Sequence, residues 1–137
     1  SKIVVGKIIL SAIHTPGHTD DSYCFHIKHA GQHYLFTGDT LLIRGTGRTD
    51  FQNGSATDQY SSLFDKLLKF PENTWVYPAH DYKGWMISTI GEERQHNPRL
   101  QVKDVVEYKQ IMDNLNLPNP KMMDVAVPAN RACGNLA

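Results

Sequence analysis

The sequence has no excess of either charge. Its 14 Lys and Arg balance 14 Asp and Glu over 137 residues, which removes the general electrostatic case for a nucleic acid or an anionic membrane surface. No apolar run approaches the roughly 20 residues that a membrane span needs. The partners excluded on these grounds are nucleic acid and membrane. The start has no signal-peptide pattern of basic residues, apolar stretch and cleavage site. Cysteine is scarce: only Cys24 and Cys133 occur, too few for a disulfide-dense scaffold, so a reducing compartment is expected. Internal repeats and low-complexity segments are also lacking. No Gly-Lys-Ser/Thr follows the glycines at 45 and 47, which excludes a phosphate-binding loop. What is present is 40% hydrophobic residues, enough for one core in one domain.

The first half reads as strands. Ile3–Val5 and Ile8–Ile13 are rich in β-branched residues around Gly6-Lys7, and Tyr23–Ile27 pairs with Tyr34–Thr37 as a hairpin across Ala30-Gly31-Gln32. Leu41–Ile43 is a short apolar run, and Arg44–Gly54 reads as a loop. Ser55 then caps a helix with Asp58 three residues on, and Tyr60, Leu63, Phe64, Leu67 and Leu68 share one helical face before Pro71. Thr74–Tyr77 and Met86–Thr89 read as strands, Glu92–Arg94 as a short helix ended by Asn97-Pro98, and Lys103–Leu115 as a longer one. Pro118, Pro120 and Pro128 predict a largely extended tail. The mixture predicts α/β or α+β layers.

The candidate chemistry sits just after apolar runs. His14 and His18 flank Thr-Pro-Gly, Asp39 follows Tyr34–Gly38, and His80-Asp81 follow Trp75–Ala79. Strands ending on one edge would let these groups converge, and imidazole with carboxylate suits zinc or iron. Each has a plainer alternative, such as a Pro-Gly turn, an Asp-stabilised turn or a core histidine. Arg48 has two readings of equal weight: a bidentate site for an anionic substrate group, or a scaffold pair with Asp50. Cys24 is expected to be buried. Cys133 is expected to be a quiet thiol, with an oxidation-sensing role as the second reading. His26, His29 and His33 are expected around a solvated turn, and Trp75, Trp85 and Met122-Met123 are expected to pack.

Three stretches resemble the later metal-binding motifs of the metallo-β-lactamase superfamily: His14-Thr-Pro-Gly-His18-Thr19, Phe36-Thr-Gly-Asp39 and Tyr77-Pro-Ala-His80-Asp81-Tyr82. The finer resemblance is to the persulfide dioxygenases, also called sulfur dioxygenases. It rests on Thr37–Phe51, Glu92–Arg94 with Asn97–Leu100, Asn114–Pro118, and Val127–Asn130 with Cys133-Gly134. It implies an α/β fold, an αββα sandwich with a metal at one edge of its sheets. In such enzymes one Fe(II) per site is held by two histidines and an aspartate; His18 and Asp39 match two of these positions. The other histidine comes from an upstream His-x-His-x-Asp-His motif that this sequence does not contain. That absence and the abrupt start at Ser1 give the expectation that residues 1–137 are the C-terminal half or more of a single domain. The remaining N-terminal portion is then the expected partner.

The implied reaction is oxidation of glutathione persulfide by dioxygen to sulfite and glutathione. His80 is implied near the iron as a group that orients water or ligand, with Tyr82 beside it. Arg48, Tyr82 and Arg99 match positions used around glutathione. The resemblance also implies a homodimer, placed in the cytoplasm of a bacterium or the mitochondrion of a eukaryote. The alternatives are a glyoxalase II-like thioester hydrolase with two zinc ions on His18, Asp39 and His80, and a non-catalytic fragment with an empty site.

Overall fold

Runs rich in β-branched and aromatic residues build a meander of four antiparallel strands in the computed structural model, which describes residues 1–51 and 53–134. They are β1 (Lys2–Val5), β2 (Ile8–His14), β3 (Tyr23–His29) and β4 (Gln32–Gly38). The tight turn between β3 and β4 puts Ala30 at φ 47° and Gly31 at φ 81°, as a two-residue hairpin with right-handed strand twist requires. The chain then forms the small ribbon of β5 (Leu41–Leu42) and β6 (Gly45–Thr46), crosses a helical layer, and returns as β7 (Trp75–Pro78). That crossover makes β7 parallel to β4, and β8 (Ser88–Thr89) closes the sheet in the order β1-β2-β3-β4-β7-β8.

The helices start where their caps are. Ser55 Oγ accepts from the Asp58 amide at 3.2 Å and begins α1 (Ala56–Ser61), which continues as a π turn over Ser62–Lys66 and a 3₁₀ turn over Leu67–Lys69. Thr89 caps α2 (Ile90–His96) through the Glu92 amide at 3.1 Å. Asp104 caps α3 (Val105–Asp113), and α4 (Met123–Arg131) follows.

One face of the sheet meets this layer. Cys24, Leu35 and Val76 come from the strands and Leu63, Leu67, Ile90 and Tyr108 from the helices; all are fully buried. Each buried leucine contributes about 1.5–3 kcal/mol by leaving water. The opposite face is apolar as well: Phe25 faces Phe36, Ile27 faces Tyr34, and these continue to Tyr77 and Trp75 across the parallel pair. Phe36 and Trp75 remain partly exposed there, at 41% and 38%.

Several expectations need correction. The tail is not wholly extended, because α4 contains Pro128 at an interior position. None of its residues is buried, so the carbonyl that proline leaves without an amide partner can turn to water. Met122 is 68% exposed and left-handed at φ 65°, a helix-entry residue rather than a core filler. Trp85 lies exposed under the Arg44 and Lys83 cations, 5.8 and 5.3 Å from its ring centroid. The glycine-rich loop carries strand β6 within it. Across the β3–β4 hairpin, His26 Nε2 meets His33 Nδ1 at 2.9 Å, and both rings pack on Phe70. Two of the hairpin's histidines are therefore paired rather than separately solvated.

Candidate metal centre

Three chain segments converge at the ends of β2, β4 and β7. The parallel register sets Gly38 beside Pro78, and the Ala79 amide donates to the Gly38 carbonyl at 2.9 Å. Asp39 and His80 therefore leave the sheet side by side. The third segment, Thr15–Ser22, is held by the α1 layer. Ser62 Oγ donates to the Pro16 carbonyl at 2.8 Å, Lys66 Nζ to the His14 carbonyl at 2.6 Å, and the Ser55 amide to the Gly17 carbonyl at 2.8 Å. Gly17, at φ +145°, lies so close to Gln59 that any side chain there would collide with its backbone and Cβ.

His18 Nε2 faces Asp39 Oδ2 at 3.6 Å. The other ring nitrogen, Nδ1, donates to the Arg48 carbonyl at 2.7 Å. That bond sets which nitrogen carries the proton in the neutral ring and leaves Nε2 as the nitrogen that faces the carboxylate, the arrangement a metal-binding histidine needs. His80 Nδ1 donates to the second oxygen, Asp39 Oδ1, at 2.6 Å. One carboxylate oxygen is thus occupied and the other is directed toward His18. Imidazole nitrogen and carboxylate oxygen suit iron or zinc. The pair supplies two donors; among the described residues no group of three or more His, Cys, Asp or Glu is arranged around one ion position. Tyr82, 81% exposed, runs its ring nearly parallel to His80 with centroids 6.3 Å apart. Asp81 accepts from the Lys83 and Trp85 amides at 3.2 and 2.6 Å and shapes this loop. His14 is not brought in, because its Nε2 is occupied by the Asp20 carbonyl at 3.0 Å.

The loop after β5 backs the site. Gly47 packs directly on the Asp39 carbonyl, and an added Cβ would also stand 3.0 Å from His18 Nδ1. Arg48 contributes its carbonyl to His18, but its guanidinium does not reach outward. It grips Asp50 in a fork of 2.7 and 2.8 Å, donates to the Pro118 carbonyl at 2.9 Å and covers Phe51. Of its two readings, the scaffold pair is the one present. The fork holds the Asp50 carboxyl below the usual aspartate range. Arg99 is likewise turned inward, donating to the Thr46 carbonyl, and burial lowers its pKa. In this arrangement the Arg48 guanidinium is engaged by Asp50 and Pro118, and Arg99 commits its Nη1 to Thr46.

Sequence reasoning missed the buried polar groups behind the loop. Glu93 is fully buried and accepts from the Arg44 amide at 2.8 Å, Arg44 Nη1 at 2.5 Å, Ser88 Oγ at 2.7 Å and Asn97 Nδ2 at 2.8 Å. Asn97 also donates to the Gly45 carbonyl at 2.9 Å. This clamp holds Arg44 at φ 57°, a left-handed conformation rare for arginine. The available signal was the four-residue spacing from Glu93 in α2 to Asn97, the residue that ends that helix. Gln59 and Tyr108, both fully buried, fall within the expected helical stretches but were not singled out. Cys24 is buried as expected and accepts from Thr15 Oγ1 at 3.2 Å; burial raises its pKa, so the thiol stays protonated. Cys133 is exposed and free.

Mouse mitochondrial persulfide dioxygenase ETHE1 is 49% identical over 129 residues, which are 94% of this chain and 50% of that protein. The crystal structure of ETHE1 from Myxococcus xanthus superposes with a TM-score of 0.89 at 52% identity, covering 98% of this chain and 58% of that one. A structure titled TTHA1623 in a di-iron-bound form matches at TM-score 0.57 and 30% identity, over 65% of this chain and 41% of that one. The chain spans about half the length of the curated relatives it matches. No helix among the described residues is long and apolar enough to cross a membrane. The family model described as the metallo-beta-lactamase superfamily matches residues 2–80, more than half of the sequence, and the chain belongs to that superfamily.

Proposed function

We propose that this chain forms the metal-binding edge of an iron-dependent persulfide dioxygenase acting on glutathione persulfide. The observation that carries the reading is His18 Nε2 opposite Asp39 Oδ2 at 3.6 Å, with His18 Nδ1 committed to a backbone carbonyl. The balanced reaction consumes glutathione persulfide, dioxygen and water and yields glutathione and sulfurous acid, which ionises to sulfite. His18 and Asp39 would hold the metal, with further donors from outside these residues. Bound ferrous iron would supply the redox capacity for dioxygen chemistry, which zinc lacks.

The chain's own residues have separate tasks. His80 donates Nδ1–H to Asp39 Oδ1 and so keeps that carboxylate's second oxygen pointed at His18. In the neutral ring the outer nitrogen of His80, Nε2, carries the lone pair, and the side chain is 57% exposed. It is placed to accept a proton from an incoming S–H. Tyr82 stands at the rim beside it, where a phenol can pack on and hydrogen-bond a peptide-like substrate.

Elemental analysis of the intact protein, isolated without added metal and assayed for sulfite release, tests the reading. The expected result is about one iron per site. Asp39→Ala should lose both the iron and sulfite release. Full activity with stoichiometric iron in that variant overturns the ligand assignment. Two zincs with thioester hydrolysis overturn the reaction in favour of the hydrolase.

A further inference from the structure

A buried relay of hydrogen bonds runs behind the His18–Asp39 pair. Arg99 Nη1 donates to the Thr46 carbonyl and lies 3.4 Å from Thr46 Oγ1. Thr46 Oγ1 is 3.0 Å from Tyr108 Oη, Tyr108 Oη is 3.1 Å from Gln59 Oε1, and Gln59 Nε2 is 3.3 Å from the Thr40 carbonyl. Thr46, Tyr108, Gln59 and Thr40 are all at most 2% exposed.

The direction of every proton in this relay follows from its two ends. The Thr40 carbonyl can only accept, so the Gln59 amide must turn its nitrogen there and its oxygen toward Tyr108. Tyr108 must then donate to Gln59 and accept from Thr46. At the far end Arg99 has donors only. Burial pushes the Tyr108 pKa up to about 12, so the phenol keeps the proton it needs to donate.

The relay touches each segment that positions the metal-facing pair. Thr40 directly follows Asp39. The backbone and Cβ of Gln59 seat Gly17, the residue before His18. Thr46 precedes Gly47, where an added Cβ would collide with the Asp39 carbonyl and stand 3.0 Å from His18 Nδ1. We propose that Gln59 and Tyr108 are positioning residues: their directional bonds set the separation of His18 Nε2 and Asp39 Oδ2 and hence the affinity and geometry of the metal site. This rests on the metal-site reading above but not on which reaction the metal serves.

The test uses cobalt(II) as the probe in the intact protein, because its visible spectrum reports ligand geometry without turnover. Circular dichroism and thermal unfolding of the metal-free form are the fold controls. Tyr108→Phe removes one donor and no volume of note. It should weaken cobalt binding about tenfold and shift the visible bands while leaving the fold intact. Gln59→Leu should act in the same direction.

Gln59→Glu supplies the readout that a role in packing alone would not move. Its carboxylate repels the Thr40 carbonyl, whereas its protonated form restores the donor. Cobalt affinity relative to wild type, compared at each pH, should therefore recover as pH falls. A folded Tyr108→Phe with wild-type affinity and spectrum refutes the proposal, and so does a pH-independent ratio for Gln59→Glu. Wild type that takes up no cobalt refutes the proposal and the metal-site reading together. Cobalt binding by a protein that oxidises no persulfide removes only the proposed reaction.

Discussion

Replacing Glu93 by Gln isolates the clamp under the site loop. The two side chains have the same shape, so only hydrogen-bond polarity and charge change. In the wild type each carboxylate oxygen accepts twice: Oε1 from Arg44 Nη1 and Ser88 Oγ, and Oε2 from the Arg44 amide and Asn97 Nδ2. A glutamine NH₂ at either position faces two donors. At Oε2 both are fixed N–H groups. At Oε1 the serine hydroxyl can rotate and become the acceptor, so the NH₂ should settle there and displace Arg44 Nη1. Arg44 keeps Glu92 at 2.5 Å, but that carboxylate is half exposed.

The cost is one buried bond, at about 1–3 kcal/mol, plus part of the about 3–5 kcal/mol for breaking a buried ion pair. The sum expected is about 3 kcal/mol, a large share of a stability of about 5–15 kcal/mol. Urea unfolding should show a lower midpoint with an unchanged slope. A loss below about 0.5 kcal/mol, within the range of an ordinary surface change, would refute the argument that Glu93 anchors the loop.

Gly47→Ala should weaken metal binding about tenfold or more, because its Cβ would press on the Asp39 carbonyl and stand 3.0 Å from His18 Nδ1; a chelator-competition titration giving wild-type affinity would remove Gly47 from the site. His26 has its pKa lowered, first by burial and then by His33 and Lys28. The unfolded chain therefore takes up this proton before the native one does, and stability should fall as pH drops through the ordinary histidine range. His26→Gln should flatten that part of the stability profile, and a profile identical to wild type would exclude His26 as its source. Asp50 has its pKa depressed by Arg48, so its contribution is present at neutral pH and lost as pH falls through the native carboxylate's titration. Asp50→Asn should leave less acid-side loss, visible in unfolding midpoints below the ordinary aspartate range.

Much of the scaffold was legible along the chain. The strands of the meander follow from β-branched runs punctuated by Gly6 and by Ala30-Gly31, and Ser55 caps α1 as read. The α4 helix runs against the extended tail that Pro118, Pro120 and Pro128 predict; on an exposed helix the carbonyl that Pro128 leaves unpaired is hydrated. The motifs around His18, Asp39 and His80 were also readable, since each lies in the loop just beyond the end of a strand.

Short-range chemistry in the sequence by itself determined the elements, their caps and which residue types reach the sheet edge. Tertiary structure alone decided what those residues meet. Asp39 and His80 are 41 positions apart and touch because the crossover makes β4 and β7 parallel neighbours. Arg44 and Glu93, 49 positions apart, close the loop under the site. Arg48 had two chemically equal partners on paper, and the nearby Asp50 took its guanidinium while the backbone carbonyl went to His18. Side-chain type fixes what a residue can bond, but only the closed fold excludes water and leaves one partner within reach.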